Sequence, residues 1–123
     1  MTTKEIIKKY YKGISRKDGW QSLISDKLVF SRPGLFTLNA KDFYIKETTE
    51  FLRMVRSIKV EKLIVEDDKA FALVGYKMIT PKGTKGKWDV AEILSVKDGK
   101  VDSIELLFDS AGINVYSKAR VNF

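Results

Sequence analysis

The chain has 123 residues, 44% of them hydrophobic, which is typical of one folded domain spanning residues 1–123 and not of a disordered chain. It lacks cysteine and histidine, which excludes disulfides, thiol catalysis, Ser-His triads and the commonest metal ligand. The net charge of +7 is spread along the chain without a nucleic-acid-binding motif, and no apolar run approaches the roughly 20 residues of a membrane span.

The first helix is predicted close to the N-terminus. Thr2 and Glu5 stand three residues apart in the pattern of a capping box. Apolar side chains then recur at helical spacing, at Ile6, Ile7, Tyr10, Tyr11 and Ile14. Gly13 weakens the last turn, and a shorter helical segment over about residues 18–24 precedes a strand over residues 27–31.

The remaining predicted elements are one more helix and four strands. A third helix is predicted from Asn39, as its N-cap, to about Ser57. Strands are predicted over residues 59–66, 69–80, 87–96 and 101–108, with Asp98-Gly99 as a strong hairpin signal. Helices followed by an antiparallel meander predict an α+β domain whose helices cover one face of the sheet. A curved sheet of this kind leaves a cone-shaped cavity that suits a ligand.

One strand contains a carboxylate on its apolar face. In "WDVAEILSV", residues 88–96, Glu92 is in phase with Trp88, Val90 and Leu94. A carboxyl group among apolar side chains has its pKa raised by burial and can serve as an acid–base group. Two alternatives remain open at this stage. A β-bulge could turn Glu92 outward, or Glu92 could form a structural pair with Arg32 or a lysine.

The order of elements resembles the nuclear transport factor 2-like superfamily. The motifs behind the resemblance are "KDGW" after the first helix, "RP" at the end of the first strand and "KDGKVDSIELLFD" in the last hairpin. Within the superfamily the chain is most similar to the SnoaL-like and ketosteroid-isomerase-like branch, over about residues 3–112. The resemblance implies a cystatin-like cone, a curved and mostly antiparallel sheet with three helices over its concave face. It also implies a homodimer formed through the outer face of the sheet.

The resemblance also suggests site residues. Tyr10 falls where steroid-isomerase-like members have an oxyanion-hole tyrosine, and Glu92 falls where they have a protonated aspartate. Their general-base aspartate precedes a proline, a position held here by Arg32, which is always protonated and cannot be the base. Other members use an aspartate near the end of the last strand, for which Asp109 is the nearest match, or a carboxylate–arginine pair such as Glu92 with Arg32.

Each of these assignments has an alternative. Tyr11 could face inward in place of Tyr10, Arg32 could be a solvated strand end, and Asp109 more often caps a turn than performs chemistry. Seven apolar side chains have the phase of a pocket wall, which either lines a cavity or fills the core. They are Phe30, Trp88, Val90, Leu94, Ile104, Leu106 and Phe108.

We therefore predict a small-molecule-binding protein, with general acid–base chemistry of the isomerase, cyclase or lyase type and no metal or organic cofactor. The alternative is a non-catalytic ligand-sensing or protein-association module of the same fold. The expected partners are a small apolar or aromatic molecule and a second copy of the chain. We expect no membrane partner, rank nucleic acid last, and expect a cytoplasmic location because the N-terminus lacks the apolar stretch of a signal peptide.

Overall fold

The computed structural model describes residues 1–32, the backbone of residues 36–39, and residues 41–107. Within these residues the chain forms two α-helices, one 3-10 turn and six strands. The helices are α1 (Thr3–Arg16) and α2 (Lys41–Leu52), and the 3-10 turn covers Gln21–Leu23. The strands are β1 (Ile24–Arg32), β2 (Phe36–Asn39), β3 (Val55–Glu66), β4 (Lys69–Ile79), β5 (Lys85–Lys97) and β6 (Lys100–Leu107).

The strands form one sheet in the order β2-β1-β6-β5-β4-β3. Every neighbouring pair is antiparallel except β1 and β6, which run parallel. Helix α1 contacts β3, β4 and β6, while α2 contacts β1, so both helices cover one face of the sheet. The predicted α+β class is confirmed, with a 3-10 turn in place of the middle one of the three expected helices. None of the described helices is long and apolar enough to cross a membrane.

Both ends of α2, which the sequence predicts as the third helix, differ from the prediction. Asn39, predicted as an N-cap, is the last residue of the unpredicted strand β2 and pairs with Val29. The helix then ends at Leu52 and not near Ser57, because Val55 already pairs with Met78 at the start of β3. Pairing between distant strands thus overrides the helical spacing of the local sequence.

Helix α1 begins and ends as its sequence predicts. The Glu5 backbone N–H donates to Thr2 Oγ1 at 3.2 Å, and the Thr2 backbone N–H donates to Glu5 Oε1 at 3.3 Å, which completes the capping box. At the other end Lys17 adopts the left-handed conformation, with a φ of 59°, and its N–H donates to the Ile14 carbonyl at 3.1 Å. These bonds satisfy backbone groups that the helix itself leaves unpaired.

Gly13 is a packing requirement and not only a weak point of α1. A Cβ atom at this position would lie 2.8 Å from the backbone nitrogen of Trp20 and 3.0 Å from its Cα. We expect Gly13→Ala to destabilise the fold by up to about 2 kcal/mol, because the overlap costs about 1–3 kcal/mol and the gain in helix propensity offsets only about 1 kcal/mol of it. Urea unfolding measures the change, with Ser15→Ala on the exposed side of the same helix as the control. A Gly13→Ala variant more stable than wild type would contradict this close contact.

The sheet face opposite the helices carries an apolar patch. Register places six of its side chains in two adjacent rows, Ile64, Phe71 and Ile93 in one and Leu73, Ala91 and Leu107 in the next. Ile64 is 62% exposed and Leu107 is 41% exposed. We call these six residues the outer patch. A contiguous apolar surface of this kind is typical of an interface.

We expect the protein to be a homodimer at micromolar concentration, because a second outer patch would cover the first in a two-fold arrangement. Light scattering should give twice the monomer mass. The double variant Ile64→Lys/Leu107→Lys should give the monomer mass, because both side chains are exposed and can be changed without disturbing the core. Phe43→Lys, which changes a comparably exposed side chain on α2, is the control. A wild-type protein that is monomeric throughout this range would refute the expectation.

Candidate functional site

Glu92 faces the core, as the alternation of β5 predicts. It lies opposite Ala72 on β4 and Leu106 on β6, and only 5% of it is exposed. The hairpin of β5 and β6 does contain a bulge, but its register shift falls between Ser95 and Val96, beyond Glu92. Among the Asp, Glu, Lys and Arg residues that the structure describes, Glu92 is the one that is buried.

Two tyrosine hydroxyls hold the carboxylate of Glu92. The Tyr11 hydroxyl, on α1, donates to Oε1 at 2.6 Å, and the Tyr76 hydroxyl, on β4, donates to Oε2 at 2.5 Å. Each carboxylate oxygen therefore has a buried donor, and the three side chains connect α1, β4 and β5. We call Glu92, Tyr11 and Tyr76 the carboxylate centre.

A second pair of phenols lies in the same core. The hydroxyls of Tyr10 and Tyr44 are hydrogen-bonded to each other, and the rings of Tyr10 and Tyr11 are in edge-to-face contact with centroids 5.1 Å apart. Four of the five tyrosines in the chain therefore lie in this core, together with its buried glutamate. Burial raises the pKa of all four phenols, and the nearby Glu92 charge raises the pKa values further, so they are neutral donors.

Burial and hydrogen bonding act in opposite directions on Glu92. Burial raises the pKa of its carboxyl group above the ordinary value of 4.5, because a buried charge loses its hydration. The hydrogen bonds from Tyr11 and Tyr76 stabilise the charged form and lower the pKa, but burial is the larger cause and the pKa remains raised. A carboxyl group shifted in this direction exchanges its proton closer to neutral pH, which suits acid–base chemistry.

The structure does not bring all the site residues predicted from the sequence together around Glu92. Tyr10 and Tyr11 are both buried, but Tyr11 is the one hydrogen-bonded to Glu92, while Tyr10 is bonded to Tyr44. Arg32 is half-buried at the end of β1, and among the described residues no ion pair joins it to Glu92. Asp109 lies outside the described residues.

The predicted wall residues share the core with Glu92. Phe30, Trp88, Val90, Leu94 and Ile104 are buried, Leu106 is partly buried, and Phe108 lies outside the described residues. The ring of Phe51 contacts those of Tyr76 and Trp88, with centroid distances of 5.0 and 5.3 Å. The carboxylate centre is therefore bordered by aromatic rings.

Sequence reasoning missed Tyr76 as a partner of Glu92. Tyr76 belongs to the alternating buried series Ala70, Ala72, Val74, Tyr76 and Met78 on β4. That series could have indicated that Tyr76 points inward. Which residue of β5 its hydroxyl meets depends on the register of the β4–β5 hairpin, which aligns Tyr76 with Trp88 and Ala72 with Glu92.

The residues from 1 to 32 and from 41 to 107 contain no group of three acidic side chains that could hold a metal ion.

No family model and no curated protein matches this sequence. Solved structures do match it. An NTF2-like protein (nuclear transport factor 2-like) from Burkholderia thailandensis is similar to it with a TM-score of 0.78 and 17% identity, over 95% of this chain and 98% of that one. The chain has the nuclear transport factor 2-like fold.

Two further structures show the same nuclear transport factor 2-like fold. One is a protein from Jannaschia proposed to be a SnoaL-like polyketide cyclase, with a TM-score of 0.76, 12% identity, and coverage of 92% of this chain and 89% of that one. The other is a protein from Catenulispora acidiphila with a ketosteroid isomerase-like fold in complex with trimethylamine, with a TM-score of 0.69 and 12% identity, over 93% and 92% of the two chains. At these identities the likeness concerns the fold and not the activity.

Proposed function

We propose that this nuclear transport factor 2-like protein binds a small apolar or aromatic molecule in its cone and acts on it by general acid–base catalysis. The observation that carries the proposal is the carboxylate centre, a buried carboxyl group of raised pKa held between two neutral phenols. The reaction class is isomerase, cyclase or lyase, in which a proton is moved at or next to a carbonyl group. The proposed protein is a cytoplasmic homodimer and needs no metal or organic cofactor.

The centre has the groups that such a reaction requires. The Glu92 carboxylate accepts a proton from the carbon next to a substrate carbonyl, and the electron pair of the broken C–H bond moves onto the carbonyl oxygen. A phenol of Tyr11 or Tyr76 turns from Glu92 to that oxygen and donates a hydrogen bond to its developing negative charge. Glu92, now protonated, returns the proton to a second position, which completes an isomerisation or permits ring closure.

Arg32 has a different role in this proposal. It occupies the position at which the resembling steroid isomerases have their base, but an arginine does not give up its proton. Glu92 is therefore the base, and Arg32 would orient an anionic substituent of an otherwise apolar ligand. Two of the similar structures are described as a SnoaL-like polyketide cyclase and as a protein with a ketosteroid isomerase-like fold. They support the choice of reaction class by analogy only.

The second candidate is a non-catalytic module of the same fold that senses a ligand or binds another protein. One observation favours it. Both oxygens of Glu92 already have hydrogen-bond donors, and the four tyrosines around it are buried. In that case the carboxylate centre has a structural role and holds α1 against the sheet, and the outer patch is the surface that binds another protein.

A ligand panel separates the two candidates. Aromatic and steroid-like ketones are added to wild type, Glu92→Gln and the exposed control Glu66→Gln, and the thermal midpoint and the exchange of α-carbon protons with deuterated solvent are measured. The proposal predicts that wild type and the control bind a ketone and exchange its protons, while Glu92→Gln binds it with at least about a hundredfold slower exchange. Binding without exchange in wild type supports the sensing module, and unchanged exchange in Glu92→Gln rules out Glu92 as the base.

A further inference from the structure

The positive charge of the protein is concentrated on its first helix. Residues 1–17 contain six lysine and arginine side chains and one acidic side chain, so they carry five of the net seven positive charges of the chain. The positive charge is therefore not spread evenly along the chain. Helix α1 is the basic element of the molecule.

All the basic side chains of α1 lie on its exposed side. Seven of its residues from Lys4 to Arg16 are exposed, and five of them are basic, namely Lys4, Lys8, Lys9, Lys12 and Arg16. At 100° of rotation per residue these five occupy an arc of about 140° and a length of about 18 Å. We call them the basic face.

The charge of the basic face is not neutralised within the part of the chain that the structure describes. The ion pairs there join Lys41 to Asp26, and Lys87 to Glu61 and Asp89, so none involves α1. The one acid of the helix, Glu5, accepts hydrogen bonds from Thr2 at the N-terminal end. Within the described residues, the basic face therefore presents five cations to solvent with a single acid, Glu5, among them.

The shape of the basic face suits a flat partner surface better than a narrow, extended chain. The Cα atoms of an α-helix lie about 2.3 Å from its axis, so residues at the edges of a 140° arc are only about 1.5 Å lower than those at its centre. The four-carbon stem of a lysine spans that difference, and all five cations can reach one flat surface. An extended acidic peptide would contact a single column of them.

The composition of the basic face points in the same direction. Four of its five cations are lysines, which act as point charges, whereas carboxylate and phosphate groups are recognised with defined geometry mainly by arginine. Its exposed residues include no aromatic side chain for base stacking and no apolar side chain for insertion into a bilayer. We propose that the basic face docks the protein, by charge alone, on an anionic lipid surface.

Docking by the basic face does not depend on the proposed chemistry. It replaces the expectation of no membrane partner, which was based only on the lack of an apolar membrane span. Each lysine near an anionic membrane strengthens binding about fivefold. Removal of two should weaken binding about thirtyfold, while removal of two lysines from the opposite face of the sheet should weaken it less than about fivefold. Lys59 and Lys62 on β3 are suitable for the second change, because they are exposed and pair with the outward-facing positions Gly75 and Leu73.

The experiment is co-sedimentation of the full chain with lipid vesicles. Wild type, Lys8→Gln/Lys12→Gln and Lys59→Gln/Lys62→Gln are mixed with vesicles containing about 30% phosphatidylserine, or with phosphatidylcholine alone, at about 0.1 M salt. The expected result is binding of wild type and the β3 variant to the anionic vesicles only, a thirtyfold loss for the α1 variant, and release at about 0.5 M salt. Circular dichroism and urea unfolding establish that each variant is folded.

Three results would overturn the proposal. Equal losses in the two variants would mean that net charge alone attracts the lipid. Equal binding to phosphatidylcholine would exclude an electrostatic surface. Preference of wild type for a short DNA duplex over anionic vesicles at the same salt, lost in the α1 variant, would identify the basic face as a nucleic-acid surface.

Discussion

The Glu92→Gln variant should gain stability relative to wild type as the pH rises above about 4.5. The pKa of Glu92 is raised in the folded state, so the folded protein binds its proton more tightly than the unfolded chain does. The contribution of this group to stability is therefore fully present below the unfolded value of 4.5 and is lost as the pH rises through the folded value. Each unit of pKa difference corresponds to about 1.4 kcal/mol.

Urea unfolding of both proteins between about pH 4 and pH 8 measures this difference, and Glu66→Gln, an exposed change on β3, shows the background effect of removing one acid. A difference that is independent of pH would mean that Glu92 is not shifted. A difference of the opposite sign would mean that the two tyrosine bonds outweigh burial. Glu92→Leu should be less stable than Glu92→Gln by about 1–3 kcal/mol for each phenol left without an acceptor.

The second large effect is expected at Tyr11. Tyr11→Phe removes a hydrogen bond to a carboxylate and, at a pH above the raised pKa of Glu92, should destabilise the fold by about 1.5–3 kcal/mol. Tyr10→Phe removes a bond between two neutral hydroxyls and should cost about 0.5–1.5 kcal/mol. The pair is a matched control, because the two residues are adjacent, both buried, and lose the same atom.

The pH dependence distinguishes this explanation from a simple packing effect. The Tyr11 bond lowers the pKa of Glu92, so its removal raises that pKa further and makes Tyr11→Phe most costly where Glu92 is ionised in wild type. The stability difference between Tyr11→Phe and Tyr10→Phe should therefore shrink from pH 8 to pH 4. Equal costs at both pH values would show that Tyr11 does not interact with a charged carboxylate.

The features that depend on local sequence were predictable, and those that depend on pairing were not. The spacing of apolar residues and the capping box located α1, and the alternation of β5 oriented Glu92 towards the core. The strand β2 has only four residues, too few for a periodic pattern, and Val55 belongs to β3 because of Met78 on another strand. Short elements and element ends are decided by neighbours that are distant in sequence.

The candidate site shows the same division. Tyr10 and Tyr11 both lie on the buried side of α1, so periodicity alone could not decide which hydroxyl reaches β5. Tyr76 could be identified only with the register of β4 and β5. The alternation of β5 and the resemblance both indicated Glu92, but the resemblance implied Tyr10 as the tyrosine of the site, whereas in the structure Tyr11 is the one in contact with Glu92.

The hydrogen bond between Tyr11 and Glu92 also has a consequence for synthesis of the chain. It joins residues 81 positions apart, so α1 leaves the ribosome long before its partner on β5 exists. At about 5–20 residues per second the delay is roughly 4–16 s. During that time the buried side of α1, with its isoleucines and tyrosines, lacks the complete sheet that covers it in the folded protein. The lysines on the exposed side of α1 give the incompletely folded chain a positive charge. Repulsion between like charges then opposes its aggregation with other nascent chains.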